Sequence, residues 1–119
     1  MRVYSIYRKP PAKAIYVGRA GKGNEGKWGN PYSSNAVCKR CGAYHAKGGE
    51  TLECYEKYLR EQLHRDREFE IDFDLLHGKD LVCFCAPSEA GLTLNDVHIC
   101  HGQVMIKVLE ERYAAKTVR

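Results

Sequence analysis

The sequence predicts a small single-domain α/β protein: a three- to four-stranded sheet flanked by two main helices, with a Rossmann-like crevice and an inserted metal-binding loop. Three observations predict it. Short apolar runs bounded by turn residues, "RVYSIYR", "AIYVG" and "DLVCFC", read as strands. Two longer stretches, "LECYEKYLREQLHR" and "HGQVMIKVLEERYA", repeat apolar residues at three- and four-residue steps and read as helices. The 119 residues suffice for one core and leave no room for a second, so a single domain spans 1–119.

The elements follow in order. The first strand stops at Pro10 and Pro11, and the second ends at Gly18. From Arg19 to Gly49 the chain is rich in Gly, Asn, Ser and Lys and has no apolar period. A loop of that length inside a compact domain calls for a function or a metal clip. Thr51 is the expected N-cap of the first helix, whose inner face carries Leu52, Tyr55, Leu59 and Leu63. "EFEIDFDLLHGKD" reads as a short helical connector closed by Gly78. "DLVCFC" has the continuous apolar run of a buried central strand. The last helix turns Val104, Met105, Val108 and Leu109 inward.

Composition narrows the partners. With 44% hydrophobic and 29% charged residues the chain is globular. No apolar run approaches the roughly 20 residues of a membrane span, so a membrane is excluded as a partner. The N-terminus lacks the apolar core of a signal peptide, and a cytoplasmic location is expected. A net charge of +4, with both signs intermixed, is compatible with nucleic acid without demanding it. In a reducing compartment six cysteines point to metal binding, thiol chemistry or burial and not to disulfides.

"GKGNEGK", Gly21 to Lys27, has the spacing of a phosphate-binding loop, but Trp28 stands where that loop needs Ser or Thr, and "GNP" cannot open a helix. What remains is a glycine-rich loop in which Arg19, Lys22 and Lys27 can approach an anion while Trp28 or Tyr32 offers a ring face. The alternative is a solvated loop anchored by one buried tryptophan. "CKRCGAYH" carries Cys-x-x-Cys followed by Gly, the shape of a zinc knuckle, in the part of the long loop that spans 33–50. Two more ligands are needed. His45, Cys54 and His98 are candidates, and the predicted set is Cys38, Cys41, His45 and Cys54 around a structural zinc. Packing alone would also account for Cys54.

Cys83 and Cys85 alternate along a strand and so share a face. Cys100 and His101 precede the last helix, where free N–H groups favour anions. Strand ends and helix starts meet at the ligand crevice of α/β units. These four residues are expected either to line a pocket or to bind metal, with plain burial as the competing account.

"YVGR", "KWGNPY", "ECYEKYL", "GKDLVCFCAP" and "CHGQV" together resemble the family catalogued as domain of unknown function 4326, found in bacteria and in viruses including phages. The resemblance covers most of the chain, and its name assigns no activity. It implies that Arg19, Lys27, Trp28, Asn30, Cys83, Cys85, Cys100 and His101 belong to the shared pattern. It also implies that the knuckle and His98 lie in insertions. The cysteine-histidine before the last helix is similar, over a short stretch, to an uncharacterised α/β family numbered 488.

Of two functions, the sequence favours the first, in which the glycine-rich loop and the Cys100-His101 helix start form one anion-binding crevice; the second is the alternative. One is a nucleotide- or nucleoside-binding domain, with or without enzymatic activity, whose partner is an anionic small molecule. Arg19, Lys27, Trp28, Asn30 and Cys85 would bind the ligand, and Cys83 or Cys100 would act as nucleophile with His101 as base. The other is a zinc-stabilised, non-enzymatic module that binds nucleic acid or a host protein.

Overall fold

The computed structural model describes residues 1–7, 10–19, 26–83, 91–96 and 98–117. Gly21, Lys22, Gly23 and Cys85, singled out above, lie outside the described residues. The described chain is a mixed α/β domain built on two small sheets and three helices. β1 (Val3–Ser5), β2 (Ile15–Tyr16) and β5 (Leu81–Cys83) form a parallel sheet in the order β1-β5-β2. The apolar "LVC" run is thus the central strand, as its composition requires, because a strand with neighbours on both sides and layers on both faces meets no water. Register pairs Val3 with Leu81 and Ser5 with Cys83 on one side, and Ile15 with Leu81 on the other. The outer edge of β1 is covered by Leu92, which exchanges two backbone hydrogen bonds with Val3 at 2.9 and 2.8 Å.

A second, antiparallel pair lies inside the stretch read as loop: β3 (Ala36–Val37) and β4 (Tyr44–His45). The polar sequence there carries no strand pattern, so the hairpin depends on its turn and on what its side chains hold.

α1 spans Leu52–Arg65 and buries Leu52, Cys54, Tyr55, Leu59 and Leu63. Thr51 does not cap it by its side chain. A 3-10 turn over Gly48–Thr51 leads into the helix instead, with the Glu50 carboxylate accepting from the N–H groups of Ala46 and Lys47. The Thr51 hydroxyl, buried, is taken by Asn30 at 2.8 Å. α2 (Arg67–Asp74) is capped by Asp66, which accepts from Phe69 N at 3.1 Å, and it turns Phe69 and Phe73 inward. Gly78 follows at φ +85°, a conformation that other residues resist.

α3 (His101–Thr117) is the central helix. Between His101 and Leu109 only Lys107 is not buried, so this half is enclosed on every side. A Cβ at Gly102 would stand 2.8 Å from Val3 Cγ2, which shows how closely the helix start lies on β1. No helix among the described residues is long and apolar enough to cross a membrane.

Candidate metal centre and the strand-end crevice

The knuckle folds as its spacing demands. Cys38 N donates to Ala43 O at 2.8 Å and Gly42 N to Cys38 O at 2.9 Å, and Gly42 takes φ +77° to close the turn. The β3–β4 register sets Ala36 opposite His45 and Val37 opposite Tyr44. Opposed residues share a face and successive ones alternate. His45 therefore points to one side, toward the cysteines, while Val37 and Tyr44 point to the other and are 66% and 55% exposed.

Cys54, in the first turn of α1, reaches the same place. The ligand atoms of Cys38, Cys41, His45 and Cys54 all lie within 4.8 Å of one another. Cys38 Sγ to Cys54 Sγ is 3.7 Å, Cys54 Sγ to His45 Nε2 is 3.7 Å, and Cys41 Sγ to His45 Nε2 is 3.3 Å. Four donors around one ion with metal–sulfur bonds near 2.3 Å stand about 3.8 Å apart at the tetrahedral angle. The cluster could hold a metal ion. A bound ion would fasten the hairpin to α1, and Arg40 fastens it by pairing two guanidinium nitrogens with the Glu61 carboxylate.

Electrostatics within the cluster suit a cation. Burial works to raise the Cys38 thiol, but the N–H groups of Cys41 and Arg40 and the neighbouring thiols outweigh it and hold its pKa at about 6. Arg40 N stands 3.4 Å from Cys38 Sγ. Cys54 is pushed up to about 12 by burial and then by its hydrogen bonding and electrostatic interaction with the neighbouring Cys38 and Cys41 thiols. A bound cation would remove that second cause. His98, the rival ligand, is exposed, with its Nε2 3.2 Å from Leu94 O, and it is not part of the cluster.

The crevice expected at the strand ends is assembled differently from the expectation. β1 and β5 end side by side at Ser5 and Cys83, and the chain leaving β2 places the Val17 carbonyl beside the start of α3. His101 Nε2 donates to Val17 O at 2.5 Å, which fixes the proton on Nε2 because a carbonyl only accepts. The ring packs edge-on against Tyr55, 5.2 Å between centroids. Burial first, and the Arg19 charge after it, hold the His101 pKa below the usual imidazole range against the opposing pull of the Val17 bond and Cys83. Cys83 Sγ and Cys100 Sγ are 2.8 Å apart, both buried.

Gln103 was not singled out by the sequence reading, and it is fully buried. Its Oε1 accepts from Ile99 N at 2.9 Å and Cys100 N at 3.1 Å, and its Nε2 donates to Thr93 O at 3.0 Å. Cys100 Sγ in turn accepts from Gly102 N at 3.4 Å. Gln103 at N3 thus makes its half of a capping box, while the N-cap thiol of Cys100 takes the N2 N–H of Gly102. The signal was present in Cys-x-x-Gln, since the box is recognised from an N-cap acceptor and a Glu or Gln three residues on.

The described members of the predicted ligand set, Trp28, Lys27, Asn30 and Arg19, make contacts within the scaffold. Trp28 is buried against Phe69 and Phe73, with centroids at 4.8 and 5.8 Å, and so presents no stacking face. Its large apolar ring is better placed in the core than over a polar ligand. Lys27 pairs with Asp72 of α2 and lies over the Trp28 ring at 5.0 Å. Asn30 is buried between Thr51 and Tyr32 N. Arg19 donates from Nε to Asn30 O at 2.8 Å and from Nη2 to Tyr32 O at 2.6 Å. The described end of the glycine-rich loop therefore packs on α1 and α2, and only Arg19 stays near His101.

Fold and site define a small α/β domain with a three-cysteine, one-histidine cluster, drawn from a hairpin and the helix beside it, that could hold a metal ion. The model of the family described as "Domain of unknown function (DUF4326)" matches residues 4–111, and the chain belongs to that family. No curated protein and no solved structure matches the chain.

Proposed function

We propose that the protein is a zinc-stabilised, non-enzymatic binding module whose ligand-facing surface is the clipped hairpin and whose partner is single-stranded nucleic acid. The observation that carries this reading is the division of labour across β3 and β4. One face gives His45 to the cluster, and the other leaves Val37 and Tyr44 exposed. Three thiolates and one imidazole are the donor set that zinc takes in structural sites. Tyr44 supplies a ring on which a base stacks. Lys39 at the knuckle tip and Lys47 beyond β4, both exposed and without an ion pair among the described residues, supply charge for phosphates.

A second reading rests on the strand ends. Ser5, Cys83 and His101 converge where parallel sheets carry ligands, with Arg19 close by. There a nucleotide-like anion would be the partner, and Cys83 or Cys100 with His101 would supply any chemistry. The capping of the α3 start by Gln103 and the pairing of Lys27 with Asp72 speak for the first reading.

One titration separates them. On the zinc-loaded protein, a labelled single-stranded oligonucleotide should bind by anisotropy. Tyr44→Ala should weaken it about tenfold, the loss of one stacked base, with the melting temperature unchanged. Binding of mononucleotides that Arg19→Ala abolishes and Tyr44→Ala leaves intact would reverse the choice.

A further inference from the structure

The two sulfur pairs of this protein are spaced for different chemistry. Cys38 and Cys54, at 3.7 Å, have the spacing of two ligands around one tetrahedral ion. Cys83 and Cys100, at 2.8 Å, are too close to share such an ion and only about 0.8 Å beyond the length of a disulfide bond. They come from different elements, the end of the central strand β5 and the N-cap of α3. We propose that Cys83 and Cys100 are a redox-convertible pair that a hydroperoxide oxidises to a disulfide, locking the start of α3 to the central strand. The inference is independent of the binding reading above.

The chemistry balances in two steps. One thiol is oxidised by hydrogen peroxide to a sulfenic acid, and the peroxide is reduced to water. The second sulfur then attacks the sulfenic sulfur, forming the S–S bond and releasing the hydroxyl group with the second thiol's proton as another water. Two thiols and one peroxide give one disulfide and two waters. Both side chains are at most 1% exposed. Burial shields them from bulky thiols and alkylating agents, so the oxidant must be a small neutral molecule, and the adjacent sulfur outcompetes any external thiol for the sulfenic acid. In the metal cluster Cys38 and Cys54 stand farther apart, at 3.7 Å, and a bound ion would occupy those thiols. The neighbouring His101 is engaged with Val17 O, and no proton transfer by it is required.

The test uses the full zinc-loaded chain, treated with hydrogen peroxide, denatured, and alkylated at its remaining thiols. Cleavage before Asp80 and Asp96 yields peptides carrying Cys83 and Cys100 separately, and they should stay joined until reduced, with intact mass lower by about two hydrogens. Cys85 shares a peptide with Cys83, so a second cleavage after Phe84 assigns the partner. Cys85→Ser should still cross-link. Cys83→Ser and Cys100→Ser should not. Native protein should resist iodoacetamide at both positions before oxidation. Recovery of Cys83 and Cys100 as alkylated thiols after peroxide, or a bond that uses Cys85 in place of Cys83, would overturn the proposal. The wild-type digest decides the matter even where a variant fails to fold.

Discussion

The hairpin segment over 33–50 and the helix α3 are both polar-rich in places and both packed on the same domain, yet they are held by opposite means. α3 buries Val104, Met105, Ile106, Val108 and Leu109 against the sheet and α1, and each such side chain contributes roughly 1.5–3 kcal/mol by leaving water. The segment 33–50 has two-residue strands, exposes Val37 and Tyr44, and gives the interior little besides Cys38. It is joined to α1 by Arg40 on Glu61, and its Cys38, Cys41 and His45 converge with Cys54 on a place that could hold a metal ion. Apolar burial is spread over many contacts and degrades gradually, whereas a ligand cluster is concentrated and fails when a single member is lost.

The largest expected effect follows from that concentration. Treating the protein with a chelator, or replacing Cys54 with Ala, should abolish hydrogen-exchange protection in 33–50, a local loss of several kcal/mol. Protection in α3 and β5 should persist. Simultaneous loss in both regions would mean that the insertion and the core form one cooperative unit, and the comparison would break. Retained protection in metal-free protein would mean that Arg40 and the hairpin turn suffice.

An intermediate effect is expected at the start of α3. Gln103→Ala leaves the N–H groups of Ile99 and Cys100 and the carbonyl of Thr93 without their side-chain partner. Urea denaturation should show a loss of about 2–3 kcal/mol, as for buried polar groups deprived of a partner, with metal content unchanged. A loss under 0.5 kcal/mol would show that water replaces the amide, and that this end of α3 is wetter than the core below it.

The smallest effect sharpens the contrast at the far end of α3, where charge and not apolar area joins the helices. Arg112 holds Asp74 through two bonds, at 2.7 and 2.8 Å, and reaches Glu70 at 2.8 Å. Arg112, acting before Lys116 and against burial, lowers the Asp74 pKa from its ordinary 3.8 to about 2. A carboxylate whose folded pKa lies below its unfolded value contributes stability above the unfolded pKa and loses it as pH falls toward the folded one. Arg112→Ala should therefore cost about 1–2 kcal/mol near neutral pH. The gap to wild type should close as the pH falls through 3.8 toward 2. A gap constant over that range would assign the effect to packing of the arginine stem.

Local pattern determined a great deal here. Periodicity placed α1 and α3 and chose their inner faces, the continuous apolar run identified β5 as the central strand, and Cys-x-x-Cys-Gly announced the knuckle. These features depend on residues close in sequence, whose geometry the backbone repeats enforce. Only the tertiary structure decided the rest, since each outcome turned on a partner far along the chain. Cys54 approached Cys38 because α1 begins beside the hairpin. Trp28 was drawn into the core by Phe69 and Phe73, 41 and 45 positions on, which ended its candidacy as a stacking face. Thr51, a sound N-cap by residue type, accepts from the Asn30 amide at its hydroxyl oxygen instead, and Lys27 was claimed by Asp72. A side chain's type sets which bonds it can make; which of them it makes depends on the groups that folding delivers to it, and distant sequence carries that information only through the packed whole.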